Sequence, residues 1–302
     1  MCDIVVQKVI KNPERRPGPP HPSHKDRPLK TVVVTGATSG IGRATALDLA
    51  ARRFNVIGTA RTPDKAEKLV AAAAEVGLTV RTVLLDVTDR RSCQDAVTEI
   101  DEVTEGGPWA LVNNAGVAPV GAFEDVSEEV ARDALEVNLL GVARMTRLVL
   151  PGMRRRGEGR IVQVSSLGGL VSVPFTGWYC ASKYALEALT DSLRMEIAGS
   201  GVHACLVEPG FIDTPLLSKG LADFPAESRY AHGYMAARRR VASWSPPGPE
   251  TVARTVRRAL LAQKPHRRYR VGPGAVSAPL LRLAPAGVSD LVARTALRLN
   301  KR

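Results

Sequence analysis

The chain has 302 residues, with 42 Lys and Arg against 30 Asp and Glu, and 44% of it is hydrophobic. That length and balance suit one large globular core and exclude a disordered or fibrous chain. Cys2, Cys93, Cys180 and Cys205 show neither C-x-x-C pairs nor zinc spacing, the five histidines form no ligand cluster, and no run approaches the roughly twenty apolar residues of a membrane span, so a disulfide scaffold, a metal centre and a spanning helix are not expected.

The first 29 residues differ from the rest. Residues 12–28 hold Pro13, Pro17, Pro19, Pro20, Pro22 and Pro28 among charges. Such a stretch buries too little surface to order itself and is read as a disordered leader. Residues 31–35 (Thr-Val-Val-Val-Thr) are a β-branched run that predicts a buried parallel strand. Gly36, Gly40 and Gly42 follow, and residues 43–51 read as a helix. Glycines suit a backbone that turns sharply or touches a ligand. The helix N-terminus behind them offers free N–H groups to phosphates.

A βαβ series continues from there. Residues 55–60 form a second strand, 63–76 a helix and 79–85 a third strand, with Asp86 just past its end. A fourth strand, 109–112, runs into Asn113-Asn114-Ala115-Gly116. A fifth, 160–165, ends at Ser165-Ser166, and a sixth, 203–208, ends at Pro209-Gly210. The alternation predicts the α/β class, a doubly wound and mostly parallel Rossmann sheet with helices on both faces. In such sheets ligands bind outside the carboxyl ends of the strands, and every polar motif named here falls at such an end.

Tyr179 and Lys183 stand four residues apart, one helical turn, with Ser166 upstream at the end of the fifth strand. A phenol and an ammonium on one helix face beside a serine suit the movement of a proton and a hydride between an alcohol and a carbonyl. Together with residues 35–42, Asp86-Val87, residues 113–116, Asn138 and Pro209-Gly210, this set gives the chain its resemblance to the short-chain dehydrogenases/reductases, in their single-domain branch. The motifs lie in that family's order and spacing over residues 30–275. Residues 166–183 also resemble the 17β-hydroxysteroid and retinol dehydrogenase subgroup.

The resemblance implies roles for particular residues. Tyr179 is the general acid in reduction and the base in oxidation, and Lys183 lowers its pKa and binds the nicotinamide ribose. Ser166 donates to the substrate oxygen, and Asn138 holds a water in a proton relay. The dinucleotide is contacted by Gly36, Thr38, Ser39, Gly40, Ile41 and Gly42, by Asp86 and Val87, and by Asn113, Ala115 and Gly116. Pro209, Gly210, Ile212 and Thr214 meet its nicotinamide end. No metal is implied.

Cofactor choice turns on the end of the second strand. Ala60 stands where an acidic residue would favour NAD, and Arg61 follows it, which favours NADP(H) over NAD(H) as cofactor while leaving NAD(H) usable. Ser39 occupies a position where many NADP-preferring relatives carry a base; Arg43 is a partial substitute, and a solvated loop charge is the alternative reading of Arg61.

The expected function is therefore that of an NADP-dependent oxidoreductase interconverting a lipophilic ketone or aldehyde and its alcohol. Apolar surface for it comes from Phe211, Leu216, Leu217, Phe224, Tyr230, Tyr234, Met235 and Trp244, joined by Val173, Phe175 and Trp178. The alternative is a catalytically silent redox sensor or scaffold that binds the nucleotide. Expected partners are a small-molecule substrate and further copies of the chain, as a dimer or tetramer. Nucleic acid is not expected, since no recognition motif is present.

Residues 254–302 carry twelve Lys and Arg against Asp290 alone. Residues 276–302 read as a basic helical extension, with Leu291, Val292, Thr295 and Leu299 at helical spacing. Packing on the core is the favoured role. Weak contact with an anionic membrane surface, or a cap over the substrate, are the alternatives. Reduced thiols and the lack of a secretory segment point to the cytoplasm, peripheral to a membrane at most.

Overall fold

The computed structural model describes residues 29–104, 106–222, 224–225, 227–278, 285–297 and 299. All but the last residue of the expected leader lies outside that range. Seven parallel strands form one sheet: β1 (Thr31–Val34), β2 (Asn55–Ala60), β3 (Arg81–Leu84), β4 (Ala110–Asn113), β5 (Gly159–Val164), β6 (Val202–Pro209) and β7 (Arg268–Val271). Their order is β3-β2-β1-β4-β5-β6-β7, the doubly wound arrangement expected, and all pairings are parallel. The switch in winding direction falls between β1 and β4, where a crevice opens at the strand ends.

Helices cover both faces, which is why the central strands are apolar without alternation. On one face α1 (Gly40–Ala50), α2 (Pro63–Ala74) and α9 (Glu250–Leu261) bury Ala46, Leu49, Leu69, Val252, Val256 and Leu260 against Val32, Val34, Val56 and Val112. On the other, α3 (Arg90–Thr104), α5 (Val142–Arg156) and α6 (Gly177–Glu196) pack Ile100, Met145, Val149, Met153 and neighbours against Val33, Ile57, Leu111 and Ile161. Between α4 (Glu128–Leu135) and α5 the helix widens to a π turn at Glu136–Gly141. Two further helices, α7 (Pro215–Ala222) and α8 (Ala231–Ala242), follow β6, and α10 (Ala286–Ala296) ends the described chain.

The basic stretch that starts at Arg254 begins inside the sheet domain. Much of it is framework. Helix α9 pairs its Arg257 with Asp48 of α1 at 3.3 Å. Strand β7, absent from the sequence reading, alternates Arg268 and Arg270 with buried Tyr269 and Val271. Arg268 reaches Glu187, Asp191 and Glu208 at 3.0, 2.7 and 3.0 Å, and Arg270 reaches Glu208 at 3.0 Å. Residues 279–284 of the extension lie outside the described residues. Helix α10 itself packs on the body: Leu297 is buried with Phe175, Phe224 and Tyr234. Its outer side leaves Val288 54% and Leu291 61% exposed. Among the described residues no helix is long and apolar enough to cross a membrane, and no cluster of side chains could hold a metal ion.

Candidate active site

A cavity of about 960 Å³ lies along the carboxyl ends of the strands. One end is the turn between β1 and α1. Gly36 there has φ 64°, and a Cβ on it would sit 2.9 Å from the Cα of Ala115. Thr35 fixes the turn to the neighbouring strand exit, its Oγ1 accepting from the N–H groups of Asn114 and Ala115 at 3.0 Å each. Asn114 answers with Nδ2 to the Thr35 carbonyl at 2.9 Å. Ser39 caps α1 without a side-chain bond to it, so the first N–H groups of the helix face the cavity beside Gly40 and Ile41. A backbone this close, with free donors and no Cβ, fits a dinucleotide pyrophosphate.

Most residues expected at the dinucleotide line this cavity. Gly36, Thr38, Ser39, Gly40, Ile41, Arg61, Asp86, Val87, Ala115, Gly116, Pro209, Gly210, Ile212 and Thr214 are on its wall. Gly42 is not. It lies under the turn, where a Cβ would overlap the Gly36 carbonyl and come 2.5 Å from Asn114 Nδ2, so its role is close packing. Asn113 is also displaced from its expected place. Strand β4 runs one residue further than its apolar stretch suggests, and Asn113 Nδ2 turns into the sheet to bond Gln163 at 2.9 Å and Thr146 at 3.0 Å. The neighbouring Asn114 lines the cavity instead.

At the second strand, Ala60 is buried and contributes no carboxylate from its own position. Arg61 stands on the wall, and Lys65, one turn into α2, joins it. Lys68 is there too, held by Asp64 at 3.0 Å. Sequence reasoning missed Lys65, although its spacing from Arg61 across the start of a helix was the available signal. Asp86 is held below the ordinary carboxylate range: burial works against this, but bonds from the Thr88 N–H and hydroxyl at 2.9 and 2.7 Å and the charge of Arg61 outweigh it.

The middle of the cavity holds Ser166, Tyr179 and Lys183. Ser166 leaves β5 in extended conformation, and its Oγ accepts from Gly168 N at 3.0 Å, with the hydroxyl on the same stretch of cavity wall as the Tyr179 phenol. Gly168 lets the ring settle: a Cβ there would meet Tyr179 Cε1 at 3.1 Å. Burial pushes the phenol up to about 12, with the Ser166 hydroxyl pulling the other way. Lys183, 5% exposed, donates from Nζ to the Val164 carbonyl at 2.9 Å. Burial takes it down to about 8, with Glu187 opposing. The expected lowering of the phenol by Lys183 is therefore not the resting arrangement. Nζ lies 6.0 Å from the ring centre and desolvation dominates both groups.

Asn138 sits in the π turn, fully buried and off the cavity wall. Its Oδ1 accepts from Val117 N at 2.9 Å, and its Nδ2 donates to Val117 O at 2.8 Å and Ser182 Oγ at 3.0 Å. Both hydrogens of the side-chain amide are thus used in clamping the β4 exit loop to α6, while Oδ1 keeps a second acceptor site. Asn138 has no amide hydrogen left for the water expected of it.

The far end of the cavity is apolar. Val120, Val173, Phe175, Phe211, Leu216, Phe224, Val241, Trp244, Ala293 and Leu297 line it, with Arg240 at the rim. Phe175 adopts φ 70°, unusual for a bulky residue. It is held there by edge contacts with Tyr234, Tyr230 and Phe224, ring centres 4.7, 6.0 and 6.1 Å away, and its carbonyl accepts from Gly121 N at 2.8 Å. Tyr234, in turn, accepts from Ala122 N at 2.7 Å and bonds Asp125. Tyr230, Tyr234 and Met235 are not on the wall; the two tyrosines support it from behind, and Met235 is exposed. The side chain of Leu217 lies outside the described residues.

Comparison with known proteins adds relatives to this geometry. The family model described as short chain dehydrogenase matches residues 30–223. The oxidoreductase YbbO of Escherichia coli K12 is 36% identical over 267 residues, 87% of this chain and 93% of its own length. Human 17-beta-hydroxysteroid dehydrogenase type 1 is 36% identical over 253 residues, 79% of this chain and 76% of the relative. Among solved structures, a short-chain dehydrogenase from Streptomyces avermitilis is similar with a TM-score of 0.76 at 35% identity, over 92% of this chain and 100% of that one. An alcohol dehydrogenase from Thermococcus sibiricus complexed with 5-hydroxy-NADP gives 0.65 at 28% identity, over 80% and 95%. A Burkholderia phymatum short chain dehydrogenase/reductase in complex with NAD gives 0.69 at 28% identity, over 80% and 88%.

Proposed function

This chain belongs to the short chain dehydrogenase family and is an oxidoreductase of alcohol groups, and from that premise we propose that it interconverts a lipophilic ketone or aldehyde and its alcohol, with NADP(H) preferred and Tyr179 as the acid and base. The observation that carries the reading is one cavity with three zones: a glycine turn and Arg61 at one end, Ser166, Tyr179 and Lys183 in the middle, aromatic and aliphatic side chains at the other. A nicotinamide dinucleotide bound along the first two zones supplies the hydride or takes it up.

The chain's own groups do the rest. The apolar end holds the lipophilic body and excludes water. Ser166 Oγ, on the same wall as the phenol, is placed to donate to the same substrate oxygen. At neutral pH the phenol keeps its proton, since its value is near 12, and so is ready to protonate the oxygen as a carbonyl is reduced. For oxidation the phenol has to give up that proton first, and the Lys183 charge has to come closer to help it.

The test is a panel of carbonyls followed by cofactor absorbance: a steroid ketone, retinal, a medium-chain aldehyde, a β-ketoacyl thioester, and small polar keto acids as controls. We expect turnover on a lipophilic member with NADPH, and a fall of at least ~10²-fold in Tyr179→Phe with NADPH binding retained. Turnover confined to the polar controls removes the substrate class. A Tyr179→Phe variant that keeps half of the turnover removes the acid.

A further inference from the structure

Helix α6 places Tyr179, Lys183 and Glu187 at successive turns of one face, and the last of the three has no part in the chemistry described so far. Glu187 is buried, as is Glu208 on β6 beside it. Its Oε2 accepts from Arg268 Nε at 3.0 Å, while its Oε1 is buried with no hydrogen-bond partner. The carboxylate adjoins the strand exit that Lys183 grips: a Cβ on Gly169 would lie 2.9 Å from Ser165 Oγ and 3.0 Å from Glu187 Cγ, and the residue before Ser165 is Val164, whose carbonyl accepts from Lys183 Nζ at 2.9 Å. No carboxylate is within ion-pair distance of Nζ among the described residues, so the lysine charge is balanced through space.

We propose that Glu187 is a positioning residue for Lys183, a buried carboxylate one turn behind the reacting lysine that keeps it charged inside the wall of the cavity, with Arg268 setting how much of that charge Glu187 can lend. The proposal rests on the reading of Lys183 as part of the reacting set. The charged and polar groups around Glu187 come from several elements: Lys183 and Asp191 from α6, Glu208 from β6, Arg268 from β7 and Ser165 just past the end of β5. Arg268 is shared among Glu187, Asp191 and Glu208, so no carboxylate has it alone. Arg194 further engages Asp191 at 3.3 Å, and Arg270 engages Glu208. Burial pushes the Glu187 carboxyl up; Ser165, which makes no well-directed bond but lies against it, and Arg268 pull it back toward the charged form. In turn Glu187 is the group that opposes the fall of Lys183.

Trace acetylation of the full chain with acetic anhydride across a pH series, read at Lys183 by peptide mass spectrometry, measures the lysine without any substrate. In Glu187→Gln the titration midpoint should fall by about one pH unit, as expected when a buried opposite charge one helical turn away is removed. Glu187→Asp should restore most of it, and the alkaline limb of carbonyl reduction should move with the midpoint. An unchanged midpoint in Glu187→Gln overturns the proposal. If that variant folds too poorly to assay, Ser165→Ala should shift the midpoint the same way by a smaller amount, and no shift there overturns it as well. Should labelling shift while Tyr179→Phe remains active, the reading of the site fails and the coupling of Glu187 to Lys183 stands.

Discussion

Lys183 is costly to hold where it is. Its value of about 8 in the fold, against an ordinary 10.5, means that the folded chain binds this proton less tightly than the unfolded one. Below pH 8 the whole penalty is present, about 3 kcal/mol at most; as pH rises from 8 to 10.5 the unfolded chain also loses the proton and the penalty disappears. Lys183→Met should therefore abolish turnover yet unfold at higher denaturant than the wild type at pH 7, by up to that amount less roughly 1 kcal/mol for the lost bond to Val164. The advantage should shrink at pH 10, and urea titrations at the two pH values decide it. At the other end of the cavity, Arg61→Ala should weaken NADPH binding by roughly 1.5–3 kcal/mol and leave NADH nearly unchanged, with Lys65→Ala acting in the same sense and less strongly. Fluorescence titration with both cofactors checks this; an equal loss for both removes the pair from cofactor choice. At this scale the sequence was legible where chemistry demands a residue type, as at Ser166, Tyr179 and Lys183. It was less so where direction decides. Asn113 and Asn114 are chemically identical, and only the extra residue of β4 determines which faces the sheet and which the cavity.

Helix α10 presents two faces with different tasks. Its inner side brings Leu297 into the cluster of Phe175, Phe224 and Tyr234, and with Ala293 forms part of the cavity wall. Its outer side holds exposed Val288, Leu291 and Arg294. Leu297→Ala should lower stability by about 2 kcal/mol and raise KM for a lipophilic carbonyl with little change in kcat, because it opens the apolar end. Leu291→Asp should leave both alone and reduce sedimentation with anionic vesicles at low salt, where surface attraction is least screened. If Leu291→Asp and wild type sediment alike, the outer face makes no lipid contact. Among the elements, the first six strands could be read from short apolar runs, the first of them β-branched, and β2 falls on the residues expected of it. Strand β7 could not. Its run Arg268-Tyr269-Arg270-Val271 has only two apolar positions, and its arginines belong to a charge-rich stretch whose acidic partners come from distant parts of the chain. The π turn at Glu136–Gly141 has no sequence signature, since it arises from how α4 and α5 join over the β4 exit.

Across the whole molecule the net charge of +12 hides a division of labour. Part of the excess positive charge near the C-terminus neutralises carboxylates buried under the last sheet edge, so it counts toward the fold as well as the surface. Glu208 is 0% exposed and depends on Arg268 and Arg270 alone for ion pairs among the described residues. Replacing both arginines with Met should cost about 3–5 kcal/mol in a urea titration, the scale of leaving a buried charge unpaired. Adding Glu208→Gln to that variant should recover part of the loss; no recovery would show that the arginines act through packing. The same edge has a consequence for biosynthesis. A ribosome delivers Glu208 well before the arginines that answer its charge, so a nascent chain paused after β6 holds an open sheet edge and a carboxylate that cannot yet be buried. The sheet can close only when β7 has left the exit tunnel. Docking of the last strand is then the step at which translation and folding are joined, and a chain stopped short of it should be a target for proteolysis rather than a smaller working enzyme.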